Sequence, residues 1–266
     1  MFFTSRSSPT LLFALTFVWG LQAALGGVLH SKCPTDVEGI SFGSCRSLRV
    51  QSRLPPMINP NPKKFESWKP PPAGWTYGNW KITHSSSQLY LTSFRNMQGD
   101  SAPVFPANAS LPGQTNDVSS FQPPTSSMII TSYGISTPLR SLDKTLGSEW
   151  DGAFHFQGVG AMASTNNSWA ILSWGYDKCG IPYFVAWESE IVTVGQPPAL
   201  DIHVRSDEGP TEETMKEIIA SLKALGNEAI TDLAERTVPL VQDGERRGLP
   251  PVVCDAACQN NTVYSS

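Results

Sequence analysis

Histidines and strand-borne aromatics are the residues in this chain with the most to offer chemically. His84 ends the run Gly78-Asn79-Trp80-Lys81-Ile82-Thr83-His84, where the two-residue period of a strand puts it on one face with Trp80 and Ile82. If that face is inward, the imidazole can donate a hydrogen bond or move a proton near neutral pH. His155, between Phe154 and Phe156, is a second candidate of the same kind, and Tyr133, Tyr183 and Arg205 are further donors. His203 alternates against Leu200, Ile202 and Val204, so it is expected to face out. Trp150, Trp174 and Trp187 supply flat apolar faces for holding an unsaturated ligand. The histidines lie far apart and no C-x-x-C pair occurs, so no metal centre is expected. The absence of a Ser/His/Asp set and of a phosphate-cradling loop argues neither for nor against chemistry that needs no nucleophile or cofactor.

These side chains need a scaffold, and the pattern predicts strands. Met128 to Ile135, Trp150 to Phe156, Asn166 to Gly175, Ile181 to Glu188 and Leu200 to Arg205 are short aromatic and β-branched runs separated by turn residues. Residues 211 to 225 read as one amphipathic helix. Thr211, Glu212 and Glu213 start it, Met215, Ile218, Ile219, Leu222 and Leu225 recur at helical spacing, and Gly226 stops it. Its apolar stripe is expected to cover the sheet. A shorter helix is expected before Pro239. Residues 27 to 73, rich in proline, read as a covering arm, and the stretch holding Pro103, Pro106 and Pro112 reads as a long loop.

The first 26 residues have the pattern of a secretory signal. The apolar stretch Leu11 to Trp19 is too short to favour a span, and Ala24 and Gly26 stand three and one before the expected cut. A secretory or secreted location follows, with no stable membrane association after removal. It would make the acceptors Asn108, Asn166 and Asn260 usable for glycosylation. Five cysteines, an odd number, allow at most two disulfides within one chain. Local pairs (Cys33 with Cys45, Cys254 with Cys258) and staples from arm to tail remain equally open. A net charge of −4 gives no basic footprint for nucleic acid, which leaves a hydrophobic small molecule as the natural partner.

Four landmarks in order, Gly78-Asn79-Trp80, Trp169-Ala170-Ile171-Leu172-Ser173-Trp174-Gly175, Leu200-Asp201-Ile202 and Thr211-Glu212-Glu213-Thr214, resemble fungal lipocalin-like proteins. The resemblance implies an all-β fold with a C-terminal helix: a lipocalin-like (calycin) antiparallel barrel and its helix over residues 74 to 226, with a carboxyl-terminal extension over 227 to 266. Within that group the chain looks most like the intermolecular hetero-Diels–Alderases of fungal tropolone sesquiterpenoid biosynthesis, the eupenifeldin and xenovulene type. That likeness implies a cofactor-independent pericyclase joining a tropolone ortho-quinone methide to a humulene-type alkene. His84, His155, Tyr133 and Tyr183 would then be the candidate donors to the tropolone oxygen, and Trp150, Trp174, Trp187 and Arg205 the candidate substrate contacts. The alternative is a non-catalytic carrier of a hydrophobic small molecule.

Overall fold

The structure is a computed structural model that describes residues 49–59, 61 and 68–252. The expected signal segment, Asn260, and Cys33, Cys45, Cys254 and Cys258 lie outside the described residues. Eight antiparallel strands run β1 (Gly78–Ser85), β2 (Arg95–Pro103), β3 (Thr115–Gln122), β4 (Ile130–Pro138), β5 (Ala153–Gly158), β6 (Asn166–Tyr176), β7 (Pro182–Glu188) and β8 (Ala199–Val204). Each pairs with the next; β8 then pairs with β1, and β1 pairs back to β2. The sheet therefore closes into an up-and-down barrel, the lipocalin-like architecture.

Short helices cap and cover this barrel. Helix α1 (Gln88–Ser93) lies in the β1–β2 connection, α2 (Leu139–Leu142) follows β4, and α3 (Glu212–Lys223) and α4 (Glu228–Arg236) follow β8. Thr211 caps α3, its side chain accepting from the Thr214 amide, and acidic Glu212 and Glu213 occupy the first turn. Ile218 and Leu222 on α3 and Ile230, Leu233 and Ala234 on α4 pack onto outward-facing Tyr183, Val185, Trp187, Leu200, Ile202 and Val204. The main apolar core is thus outside the barrel wall, between strands and helices. Arm residues seal it further: the Arg53 amide and Trp68 Nε1 both donate to the Leu172 carbonyl, each at 3.0 Å.

Strands β2 and β3 fall where the sequence reads as a loop; only residues 104–114, with exposed Asn108, connect them. The reason lies in their outward face, where polar Asn96, Gln98, Asp100 and Ser120 are buried instead of apolar residues. The C-terminal strap satisfies them. Arg246 donates to the Asn96 and Ser120 carbonyls at 3.0 and 3.2 Å, and Asn96 Nδ2 donates to Gln122 and Asp243. A strand whose partners come from more than a hundred residues away shows no alternation of apolar and polar residues in its own sequence.

The same strap completes the barrel. β1 and β2 are in register over only four pairs, Gly78 with Ser101 to Lys81 with Gln98. Where they part, β9 (Val238–Pro239) pairs with Ser85 and His84, the Leu240 amide donates to Thr83, and the Asn96 amide donates to Val241. Gln242 Nε2 spans the gap, donating to Ile82 at 2.9 Å and Met97 at 3.1 Å.

Candidate functional site inside the barrel

Inward side chains from β1, β2, β3, β6, β7 and β8, with Tyr90 of α1, line a cavity of about 60 Å³, among them Trp80, Ile82, Met97, Asp117, Trp169, Phe184, Glu188 and His203. A water needs roughly 10–15 Å³ by this measure, so the space equals roughly four or five waters, on the order of 120–150 Å³ of liquid volume. That is room for a single-ring molecule and well below the ~300–1,000 Å³ typical of drug-sized sites.

One end is shut by aromatics. Trp80 donates from Nε1 to the Thr76 carbonyl, its ring meets Phe184 edge-on at 4.8 Å, and the Arg205 guanidinium lies 3.9 Å over it. Arg205 also donates to the carbonyls of Asn79 and Tyr77, so it is fully used as a fastener; burial lowers its pKa to about 10. Trp75 and Trp174 meet at 4.9 Å beside this end. The other end is plugged by α1, whose Tyr90 packs with Ile82, Met97 and Leu240.

Two stacked pairs form the walls. Phe154 lies on Trp169 at 4.3 Å and 18°, and Phe184 on His203 at 4.2 Å and 11°. Trp169 Nε1 donates to Ser136 Oγ at 2.9 Å, which donates to Asp117 Oδ2 at 2.6 Å. Burial pushes the His203 pKa down to about 3, so its ring is neutral, and its Nδ1 has no hydrogen-bond partner. Three carboxyls share the interior. Tyr90 donates to Glu188 Oε2 at 3.4 Å; Asp201 sits one strand over, in register with Ala186; Asp117 stands on β3. Burial raises all three, Asp201 to about 7 and Glu188 well above the carboxylate range, and the fields of Asp201 and Asp117 push Glu188 higher still. Glu188, Asp117 and His203 are half-buried residues of the cavity lining.

The histidine orientations reverse the sequence expectation. β1 slips register between Ile82 and His84, so Ile82 pairs with inward His203 while His84 pairs with outward Ile202. The bulged residue, Thr83, shifts the alternation by one, and every later side chain changes face. His84 instead meets Thr83 Oγ1 at 3.1 Å and backs onto Gly209, partly buried, which lowers its pKa. Gly209, at φ +79°, has space for no Cβ there, because one would come within 3.0 Å of the His84 ring.

The other expected site residues disperse as well. His155 alternates with wall residue Phe154 and lies on the outer face, opposite Thr137 and Ser168. Tyr133 packs outside on Val118 and donates to Asn116 at 2.7 Å. Tyr183 and Trp187 belong to the outer core under α3 and α4, where burial raises the Tyr183 pKa to about 12, and Trp150 packs against the same core. Trp174 does turn inward, because a second bulge between Ile171 and Ser173 separates it from outward Leu172, but it fastens the closed end, donating to the Lys69 carbonyl at 2.7 Å. None of these residues, nor Arg205, lines the cavity. Of the residues that do, the strand aromatics Trp80 and Trp169 were legible as possible ligand contacts, while Glu188, Asp117 and Tyr90 were missed; the signal available was a lone acid within each of two apolar or aromatic strands, Glu188 after Trp187 and Asp201 after Leu200. Among the described residues no His/Cys/Asp/Glu group is arranged to hold a metal, and no helix is long and apolar enough to cross a membrane.

No known protein-family model matches the chain. It is 29% identical over 212 residues, 77% of its length and 92% of the relative's, to botcinic acid biosynthesis cluster B protein 12 of Botryotinia fuckeliana (strain B05.10). Among solved structures it is similar to apocrustacyanin C1 and to lobster apocrustacyanin A1, with TM-scores of 0.45 and 0.43 at 12% identity. Each match covers 73% of this chain and 91% of the other.

Proposed function

We propose that this barrel works in fungal secondary-metabolite biosynthesis as a cofactor-independent pericyclase, adding a tropolone ortho-quinone methide to a humulene-type alkene by a hetero-Diels–Alder reaction. The observation that carries the reading is the ring-sized cavity between the Trp169 and Phe184–His203 walls. Support for the biosynthetic setting comes from the botcinic acid cluster relative, which aligns over nearly its whole length. A cycloaddition of this kind needs positioning, a donor to the ring oxygen and exclusion of water from a reactive diene. The chamber takes the planar diene. The sesquiterpene is too large to share it, so it engages once the α1 plug and its Tyr90 swing aside, and the two new bonds, one C–C and one C–O, form at that end.

A secretory route is part of the proposal, supported by the exposure of the acceptors Asn108 and Asn166. The test is incubation of the purified full chain with a quinone-methide precursor and humulenol. A stereodefined dihydropyran adduct formed above the spontaneous rate is expected. If the protein binds a ring ligand but never exceeds the uncatalysed rate, the barrel is a carrier and the pericyclase reading fails.

A further inference from the structure

Resting on the reading of the interior as a ligand chamber, we infer that Glu188, backed by Tyr90, is a proton-bearing anchor that selects an uncharged ring compound by its carbonyl oxygen. The groups facing Glu188 come from every surrounding element: Tyr90 from α1, Asp201 from β8, Asp117 from β3 and Gln196 from the β7–β8 connection. The cavity lining contains no lysine or arginine. Three neighbouring carboxyls, two of them on the cavity wall and Asp201 buried behind it, with no cation in the lining, cannot all ionise, so at neutral pH the cluster retains protons and offers O–H donors.

A second observation points to a missing partner on the cavity wall. His203 Nδ1 there is buried and has no hydrogen-bond partner. The side-chain amide of Gln196, 2% exposed, faces Tyr90 and Glu188 at the α1 end, and Asp201 stands opposite Ser85 in register. Buried polar atoms without partners are costly unless a guest or ordered water completes them. The volume fits one ring, the walls fit a flat one, and the protonated carboxyls at the α1 end fit an oxygen acceptor. An anionic guest is repelled by any carboxyl that ionises. An amine would demand that they ionise against each other and against burial.

The experiment uses three ring probes of similar size, tropone, cycloheptatriene and benzylamine, titrated into the full chain and followed by tryptophan fluorescence and calorimetry. Tropone is expected to bind about tenfold more tightly than cycloheptatriene, the worth of one well-formed hydrogen bond. Its affinity is expected to fall as pH rises and the carboxyl cluster loses its protons. Glu188→Leu should abolish the preference for tropone. Glu188→Gln, which keeps a donor and cannot titrate, should retain much of it and flatten the pH dependence; this variant decides the matter if the leucine variant does not fold. Equal binding of tropone and cycloheptatriene, tighter binding of benzylamine, no binding by the wild type, or indifference to Glu188 would each overturn the inference. Adduct formation is read separately, so a chain that binds tropone through Glu188 but makes no adduct refutes only the pericyclase reading.

Discussion

Asp201→Asn should reveal a pH-dependent instability that the native protein conceals. Asp201 is fully buried, and its pKa rises from 3.8 to about 7 because burial penalises the charge. Below pH 4 it is protonated in both folded and unfolded chains. Between pH 4 and 7 the unfolded chain releases the proton and the folded one keeps it, so stability falls by about 1.4 kcal/mol per pH unit. Over roughly three units that is on the order of 4 kcal/mol, fully lost once pH passes the folded value. His203 works the other way. Its pKa drops from 6.5 to about 3, so its contribution is present above 6.5 and lost as pH falls toward 3. The two slopes oppose each other between pH 4 and 6.5, with Glu188 and Asp117, also raised by burial, adding to the Asp201 side. The difference curve reports Asp201 together with its effect on Glu188. Urea unfolding of both chains, followed by tryptophan fluorescence from pH 4 to 8, should show the stability of the asparagine variant gaining on the native chain by about 4 kcal/mol, with unchanged m values. A difference curve flat to within about 1 kcal/mol would mean that Asp201 is already ionised in the fold, and the argument for a proton-rich interior would go with it.

Gln242→Leu removes the two hydrogen bonds that bridge β1 to β2 and leaves the Ile82 and Met97 carbonyls without those donors; a loss of about 1–3 kcal/mol in urea unfolding is expected, with faster uptake of tropone in stopped flow. A stability within 0.5 kcal/mol of native, in the range of roughly neutral surface changes, would show that the strap is not a fastener. His84→Ala, directed at a residue on the outer face, should leave tropone affinity within about twofold of native. A tenfold loss would place the histidine back at the site.

Much of the architecture was legible in the chain because it is written locally. Alternation of apolar and polar residues marked β1 and β4 to β8, and Thr211, the acidic first turn and the Met215 to Leu225 spacing marked α3 almost to the residue. The places of β2 and β3 were not, because these strands bury polar side chains whose partners, Arg246, Asp243 and Gln242, arrive from the far end of the sequence. The site was least legible of all. Strict alternation puts His84 with Trp80 on the inner face, and one bulged residue in β1 turns it out; His203 keeps the alternation of β8 but faces in, because the apolar face of that strand is the outer one covered by α3 and α4. A bulge is settled by how two strands meet and by the strap that pairs with them, so no single strand announces it. The sequence alone determined that aromatic strands would wall a barrel. Only the closed sheet decided which faces turned inward, and so gathered Glu188, Asp201 and Asp117 from three strands close enough for their burial and mutual fields to raise their pKa values.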